Sequence, residues 1–286
     1  MSDAASRGAV VITGSSTGIG RACALRLDRA GFRVFAGVRK PEDGEGLRAD
    51  ASARLEPMLC DVTDPEQIAA AAERVREATG GLLAGLVNNA GVVVPGPVEG
   101  IRVDDLRRQL EVNVVGQVAV TQAFLAMIRA ARGRVLFMSS VGGRGGLPFL
   151  SAYNASKAAI SSVGDSLRQE MQPLGVEVSI IEPGAIATPF WDKGEAEAPE
   201  LLAALGDELQ EVYGDRLERM RALSAKTGAR GQPPESVAEA VEHALTAARP
   251  KPRYLVGLDA KIQGTAMNLL PSRLFDRVVR RELDRA

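Results

Sequence analysis

AVVITGSSTGIG, residues 9–20, runs from an apolar, β-branched stretch through a turn punctuated by glycine and into the amphipathic pattern of residues 19–30. A strand that passes directly into a helix, followed by the apolar run RVFAGV at 33–38, is a βαβ unit, and such a crossover joins parallel strands. The rhythm continues outward. LEPMLC (55–60), a helix begun at Asp64-Pro65, LLAGLVN (82–88), a long amphipathic segment from 103 to about 131, RVLFMS (134–139), a helix at 152–171 and VEVSIIE (176–182) follow in turn. The pattern loosens over 185–232, where DKGEAEAPELLAALGDELQEVYGDRLERMR is charged, helical and interrupted. It resumes with a helix at 234–248 and a short strand, RYLV, at 253–256. The fold class that follows is α/β, a doubly wound parallel seven-stranded sheet of the Rossmann kind. Residues 1–286 form a single domain in this reading, with a helical lid inserted at 185–232 and a C-terminal helical tail at 258–286.

Composition narrows what the domain can do. Apolar residues at 45% and charged residues at 25% exclude a disordered or fibrous chain. The 35 Lys and Arg against 36 Asp and Glu leave no global field to attract nucleic acid or an anionic membrane, so a charged ligand must be met locally. Cys23 and Cys60 stand in no CxxC or CxxH spacing and read as small buried apolar residues. With a single histidine, His243, metal binding has no support, and that residue reads as structural. The N-terminal MSDAASRGAV is polar, and no apolar run reads as long enough to cross a bilayer, so a cytoplasmic setting is expected.

The turn TGSSTGIG places Gly14, Gly18 and Gly20 where the chain passes from strand to helix. A dinucleotide pyrophosphate approaches backbone N–H groups at such a helix start, and side chains beyond glycine would block it. Ser15, Ser16 and Thr17 can add hydroxyl donors, and Ile19 can contribute through its backbone; a glycine turn needed only for packing is the alternative. At the end of the second strand, where an acid would accept from a ribose 2′-hydroxyl, the chain reads VFAGVRK. Arg39 and Lys40 suit a 2′-phosphate, which favours NADP over NAD; a merely solvated pair is the competing reading. Asp61, beside Val62 at the end of the third strand, can accept from the adenine amino group.

SAYNASK puts Tyr153 and Lys157 at i and i+4 on one face of a helix. A phenol has a pKa near ~10, and a neighbouring ammonium is expected to lower it into a useful range for acid–base work. Ser140, at the mouth of the fifth strand, can donate to a substrate oxygen as charge develops there, and is preferred over its neighbour Ser139.

These motifs together resemble the short-chain dehydrogenase/reductase family over residues 8–257. TGSSTGIG is similar to its TGxxxGxG, Asn88 to Gly91 to its NNAG, Ser140 with Tyr153 to Lys157 to its serine and YxxxK, and Pro183-Gly184 to its PG turn. The resemblance implies a catalytic role for Asn113, as support of a proton relay, beside Ser140, Tyr153 and Lys157. It also implies cofactor contacts for Asn89, Ala90, Gly91, Pro183, Gly184, Ile186 and Thr188, with Lys157 gripping the nicotinamide ribose.

The segments SSVGGRGGLPFL, VFAGVRK and RYLVGLDAK resemble the steroid and retinol dehydrogenase branch. Leu147, Pro148, Phe149 and Leu150 border the reacting carbon in this reading, with Phe190, Trp191, Leu201, Leu202 and Val212 as further apolar wall. The expected function is hydride transfer between NADP(H) and the alcohol or carbonyl of a small hydrophobic substrate. A 3-oxoacyl reductase and a nonenzymatic NADP-sensing regulator are the alternatives. A homodimer or homotetramer is expected from the family's habit of pairing along the long helices. In the tail, Leu270, Leu274, Phe275, Val278 and Val279 oppose Arg273, Arg277, Arg280 and Arg281. Docking of this helix on the protein's own cleft or on a dimer partner is favoured over weak contact with a membrane surface.

Overall fold

The computed structural model describes residues 7–189 and 205–284. The elements at its centre are β1 (Ala9–Ile12), α1 (Gly18–Arg29), β2 (Arg33–Val38), α2 (Pro41–Ala49), β3 (Leu55–Leu59), α3 (Pro65–Thr79) and β4 (Gly85–Asn88). They are followed by α4 (Val103–Leu110), α5 (Gly116–Ala131), β5 (Arg134–Met138), α6 (Ser151–Met171), β6 (Glu177–Pro183), α7 (Gly206–Ala229), α8 (Pro234–Thr246), β7 (Arg253–Val256), α9 (Leu258–Leu269) and α10 (Ser272–Asp284). The strands lie in the order β3-β2-β1-β4-β5-β6-β7, and every neighbouring pair is parallel. The order reverses between β1 and β4, the crevice where ligands of doubly wound sheets bind.

Alternate residues of each strand feed two cores. Val10, Ile12, Leu136 and Met138 face α1 and α8, where Leu27, Val237 and Val241 are buried. Val11, Val135 and Phe137 face α3, α5 and α6, where Val75, Phe124 and Ile160 are buried. Both faces are covered, so the strands read as unbroken apolar runs rather than as alternation. Asp64 caps α3 by accepting from the Glu66 and Gln67 amides, as the Asp-Pro signal implies. Cys23 and Cys60 are both buried, and burial pushes their thiols up to about 12 and about 11.

Three readings change. PEDGEGLRA, unassigned from sequence, forms α2, started by Pro41 and by Glu42 and Asp43 in its first turn. The segment read as interrupted is a continuous helix from Gly206 onward. The helical stretch Val103–Ala131 contains, against expectation, an 18-residue window apolar enough to cross a membrane by composition, with a mean hydropathy of 1.5. Its apolar character serves the second core, and its buried face also carries Gln109, Asn113, Gln117 and Thr121. A π-turn at Glu111–Val115 joins α4 to α5 within it.

Candidate active site

The residues singled out by motif lie at the C-terminal ends of neighbouring strands. Gly14 (φ +66°) and Gly18 (φ +55°) adopt left-handed conformations open to glycine. A Cβ at Gly20 would stand 2.1 Å from the Gly14 carbonyl oxygen, and one at Gly14 would stand 2.8 Å from Cα of Ala90. The turn therefore folds onto itself and onto the chain leaving β4. Thr17 precedes α1 in an extended conformation without a side-chain cap, and the first turn carries no acid. Among the described residues no side chain caps that helix end, so its N–H groups are open to an anion. These features fit a dinucleotide pyrophosphate.

Ser15 leaves the expected donor set. Its hydroxyl donates to Ile12 O (3.0 Å) and its amide to Gly37 O (2.8 Å), so it fastens the turn to the sheet. Ser16 and Thr17 stay accessible, while Ile19 packs on the first core. The NNAG segment clamps the turn from the other side. Amides of Asn89 and Ala90 both donate to Thr13 Oγ1 (3.0 Å), and Asn89 Nδ2 donates to the carbonyls of Thr13 (3.0 Å) and Gly14 (3.1 Å). At the neighbouring strand ends, Arg39 and Lys40 are exposed and make no hydrogen bond or ion pair among the described residues. Asp61 Oδ1 accepts from the Thr63 amide (2.9 Å) and hydroxyl (2.7 Å), while Val62 is buried.

Tyr153 and Lys157 stand in the first two turns of α6. Lys157 Nζ lies 5.7 Å from the centre of the Tyr153 ring and donates to Met138 O (2.8 Å). Ser140 is hydrogen-bonded to Tyr153, accepts from the Gly142 amide (3.1 Å), and has its hydroxyl 3.5 Å from the Pro183 carbonyl. Burial pushes the Tyr153 phenol up, against the lowering action of the Ser140 hydrogen bond, and pushes the Lys157 ammonium down to about 8. The expected lowering of the phenol by Lys157 does not prevail within the chain itself, where burial is the larger influence on Tyr153. Ser139 turns away, donating to Lys157 O (2.9 Å) and pairing with the Ser161 hydroxyl (2.7 Å), so it pins α6 to β5.

Asn113 is buried in the π-turn. Its Nδ2 donates to Val92 O and to Ser156 Oγ (both 3.0 Å), its Oδ1 accepts from the Val92 amide (2.9 Å), and Ser156 Oγ donates to Tyr153 O (2.7 Å). A Cβ at Gly91 would sit 3.4 Å from Asn113 Oδ1 and 3.7 Å from Lys157 Nζ. Asn113 belongs to a column not anticipated from sequence. Gln109 bonds Val94 N and Val92 O (both 2.7 Å), Gln117 donates to Ala90 O (2.8 Å), and Thr121 accepts from Asn88 Nδ2 (2.9 Å). A four-residue spacing drifts by about 40° per step on an α-helix, and the extra residue of the π-turn takes up part of that drift. Polar residues at every fourth position of an apolar helix were the available signal.

The chain leaving β6 closes the crevice. Gly184 N donates to Val256 O (3.0 Å), and Ala185 N to Asp259 Oδ2 (2.6 Å), so α9 also shapes the site. Ile186 is buried beside Gln232, whose amide and carbonyl bond Ala185 O and Ala187 N (both 2.9 Å). Thr188 lies over the glycine turn, its methyl 3.2 Å from where a Cβ of Gly18 would be.

On the substrate side, Phe149 holds φ +61° while its carbonyl accepts from Gly96 N (2.8 Å). Its ring meets Tyr213 of α7 edge-on at 6.3 Å, and Tyr213 donates to Glu99 (2.8 Å). Val212, expected in the wall, is 56% exposed; the adjacent Tyr213 takes the inward place. Phe190, Trp191, Leu201 and Leu202 lie outside the described residues. The tail helix α10 packs on α7 and borders a cavity of about 400 Å³ with Gly146, Leu147 and Pro148. Phe275 and Val279 are half-buried, whereas Leu274 and Val278 are exposed. His243 pairs with the Tyr254 hydroxyl (2.9 Å) far from Tyr153, as a structural residue does.

A family model described as short chain dehydrogenase matches residues 8–198. The chain belongs to the short-chain dehydrogenase/reductase family of oxidoreductases. It is 39% identical to retinol dehydrogenase 5 of Mus musculus, with 94% of this chain and 87% of that protein covered. It is 36% identical to 17-beta-hydroxysteroid dehydrogenase type 6 of Bos taurus, over 95% of this chain and 87% of that one. The fold superimposes on a short-chain dehydrogenase from Streptomyces avermitilis with a TM-score of 0.78 at 30% identity, covering 100% of this chain and 97% of that one. A short-chain dehydrogenase from Burkholderia cenocepacia, solved in complex with NADP, gives 0.72 at 25% identity over 94% and 96% of the two chains.

Proposed function

We propose that the protein interconverts an alcohol and a carbonyl on a hydrophobic, retinoid- or steroid-like molecule, with NADP(H) as its redox partner. The observation that carries this reading is the convergence of Tyr153, Ser140 and Lys157 beside an uncapped helix N-terminus, with Arg39 and Lys40 exposed and, among the described residues, unpaired at the next strand end. The retinol and hydroxysteroid dehydrogenases among its relatives support the substrate class.

Gly14, Ser16, Thr17, Gly18, Ile19 and Gly20 would hold the pyrophosphate, Arg39 the 2′-phosphate, and Asp61 and Val62 the adenine. Asn89, Ala90 and Gly91 would hold the ribose side, and Pro183, Gly184, Ile186 and Thr188 the nicotinamide. When bound there, the cofactor accepts or donates the hydride and, in its oxidised form, adds positive charge to the site. Tyr153 exchanges the proton at its phenol oxygen with the substrate oxygen. Ser140 donates to that same oxygen as charge builds on it. Lys157 favours the phenolate and binds the ribose, and Asn113 supports the relay from behind. Leu147, Phe149 and Tyr213 give the substrate an apolar wall, and α7 excludes water above it. We read the assembly as a homodimer or homotetramer.

The test is NADPH absorbance followed with retinol, a 17β-hydroxysteroid and their carbonyl forms, for the wild type and Tyr153→Phe. Turnover of at least one substrate is expected, with a loss of roughly 10²- to 10⁴-fold in the variant. Full activity in Tyr153→Phe would defeat the mechanism. Tight NADPH binding without turnover of any alcohol or carbonyl would defeat the enzyme reading.

A further inference from the structure

Behind Ser140 lies a network of charges that the chemistry above does not use. Glu182, on β6, is completely buried, and a carboxylate removed from water is strongly unfavourable unless it is paired. Arg144 forks onto it through Nε (3.1 Å) and Nη2 (2.6 Å), and Arg253 of β7 adds a third bond (2.6 Å). Arg253 also binds Asp165 of α6, whose other oxygen accepts from Arg168 (3.2 Å).

The placement of the fork gives it a part in the reaction. Arg144 ends the 3-10 turn Val141–Arg144, which begins immediately after Ser140. Glu182 immediately precedes Pro183, whose carbonyl faces the Ser140 hydroxyl. The ion pair therefore ties together the two strand ends that carry Ser140 and the loop at 183–188. The turn lies flat on α6: a Cβ at Gly143 would stand 2.8 Å from the carbonyl of Lys157. Inside the turn, the Gly142 amide donates to Ser140 Oγ, which occupies one lone pair and aims the remaining hydroxyl geometry.

We propose that Arg144, anchored on buried Glu182, is a positioning residue that fixes the 3-10 turn so that Gly142 N–H sets the Ser140 hydroxyl toward Tyr153 and the substrate oxygen. This rests on the reading of Ser140 given above. A buried ion pair with only a structural role is replaceable by an apolar pair without loss, because removing both charges also removes their desolvation penalty.

Arg144→Met, Glu182→Met and the double variant separate the two roles. With retinol or the 17β-hydroxysteroid that the wild type turns over, Arg144→Met is expected to lower Tm and to lower kcat by about tenfold to a hundredfold, as mispositioned groups do. NADPH affinity, read by fluorescence, is expected to change by less than about twofold, since the pyrophosphate turn and Arg39 are untouched. The double variant recovers Tm and keeps the loss in kcat, while Arg253 retains Asp165. A double variant with wild-type kcat, or a kcat loss matched by an equal loss of NADPH affinity, overturns the proposal. A second readout needs no substrate. Tyrosinate absorbance, with Tyr153→Phe as the blank among the three tyrosines, reports the Tyr153 ionisation. Loss of the Ser140 bond in Arg144→Met moves that ionisation upward; an unmoved ionisation overturns the proposal even if the wild type turns over no alcohol and the proposed function has failed.

Discussion

Lys157 carries its ammonium 5.7 Å from the centre of the Tyr153 ring; Lys157 is buried and Tyr153 half-buried against β5, with a backbone carbonyl, Met138 O, as the acceptor for the amine. Burial disfavours the charged form of each, so it opposes ionisation of the phenol and protonation of the lysine together.

That arrangement makes Lys157 unfavourable for stability. Its pKa is pushed from 10.5 to about 8, so the unfolded chain binds more protons between those values and stability rises with pH across that window. Below about 8 the penalty is present in full, on the order of 3 kcal/mol. Lys157→Met removes it but leaves the Met138 carbonyl unpaired, at about 1 kcal/mol. Thermal melts of the cofactor-free protein at pH 7 should show the variant more stable by about 2 kcal/mol, with the advantage fading as pH rises above about 8. An unchanged or lower Tm at pH 7 would refute the assignment of a buried ammonium.

The proposed preference for NADP rests on Arg39, exposed and unpaired among the described residues at the end of β2. Arg39→Asp replaces a cation by an acid suited to a 2′-hydroxyl. Weaker NADPH binding by about tenfold to a hundredfold is expected, the size of a lost charge-assisted bond, together with tighter NADH binding. Fluorescence titration of both nucleotides decides it; equal changes for the two would remove Arg39 from the 2′ site.

Much of this architecture was legible because parallel strands covered on both faces read as unbroken apolar runs, and because the glycine turn, Ser140 and the Tyr153–Lys157 spacing are local in sequence. What escaped is not local. Two glycines among four acidic and basic neighbours hid α2, since Gly44 and Gly46 weaken a helical pattern that tertiary packing of Leu47 supports. No residue type announces a π-turn, so the alignment of Gln109 with Asn113 and Gln117 emerged only with the fold. The direction of the Tyr153 shift depends on burial contributed by segments distant in the chain. Arg144 and Glu182 lie 38 residues apart, and nothing in either neighbourhood marks the pair.

Gln109 tests the column. It is buried, with its amide oxygen accepting from Val94 N and its nitrogen donating to Val92 O. Gln109→Leu keeps the size and strands the Val94 amide away from water, while Val92 O keeps its bond from Asn113 Nδ2, so the cost is about 1–3 kcal/mol for one unsatisfied group. Chemical denaturation should show a loss of that order. Because Asn113 bonds the same Val92, kcat should fall as well, with NADPH affinity held by the unaffected Asn89 clamp. A stable variant would mean that the loop at 92–94 finds other partners.

Phe149 joins strain to function at the proposed substrate wall. A non-glycine residue at φ +61° costs on the order of 1 kcal/mol, and the bond from Gly96 N with the edge-on contact to Tyr213 holds it there. Phe149→Gly relieves the backbone and deletes the ring. The two effects part company in measurement: Tm should change by little, because the relieved strain offsets the lost aromatic contact of about 0.5–1.5 kcal/mol. KM for a retinoid or steroid alcohol should rise, by about tenfold for a lost apolar contact of roughly 1.5 kcal/mol, while a short secondary alcohol that never reaches the wall is affected far less. Tyr213→Phe keeps the ring and removes only the bond to Glu99, so it should leave KM for the large substrate nearly in place. If Phe149→Gly raised KM equally for large and small alcohols, the ring would be acting on the start of α6, which carries Tyr153, and not on the substrate.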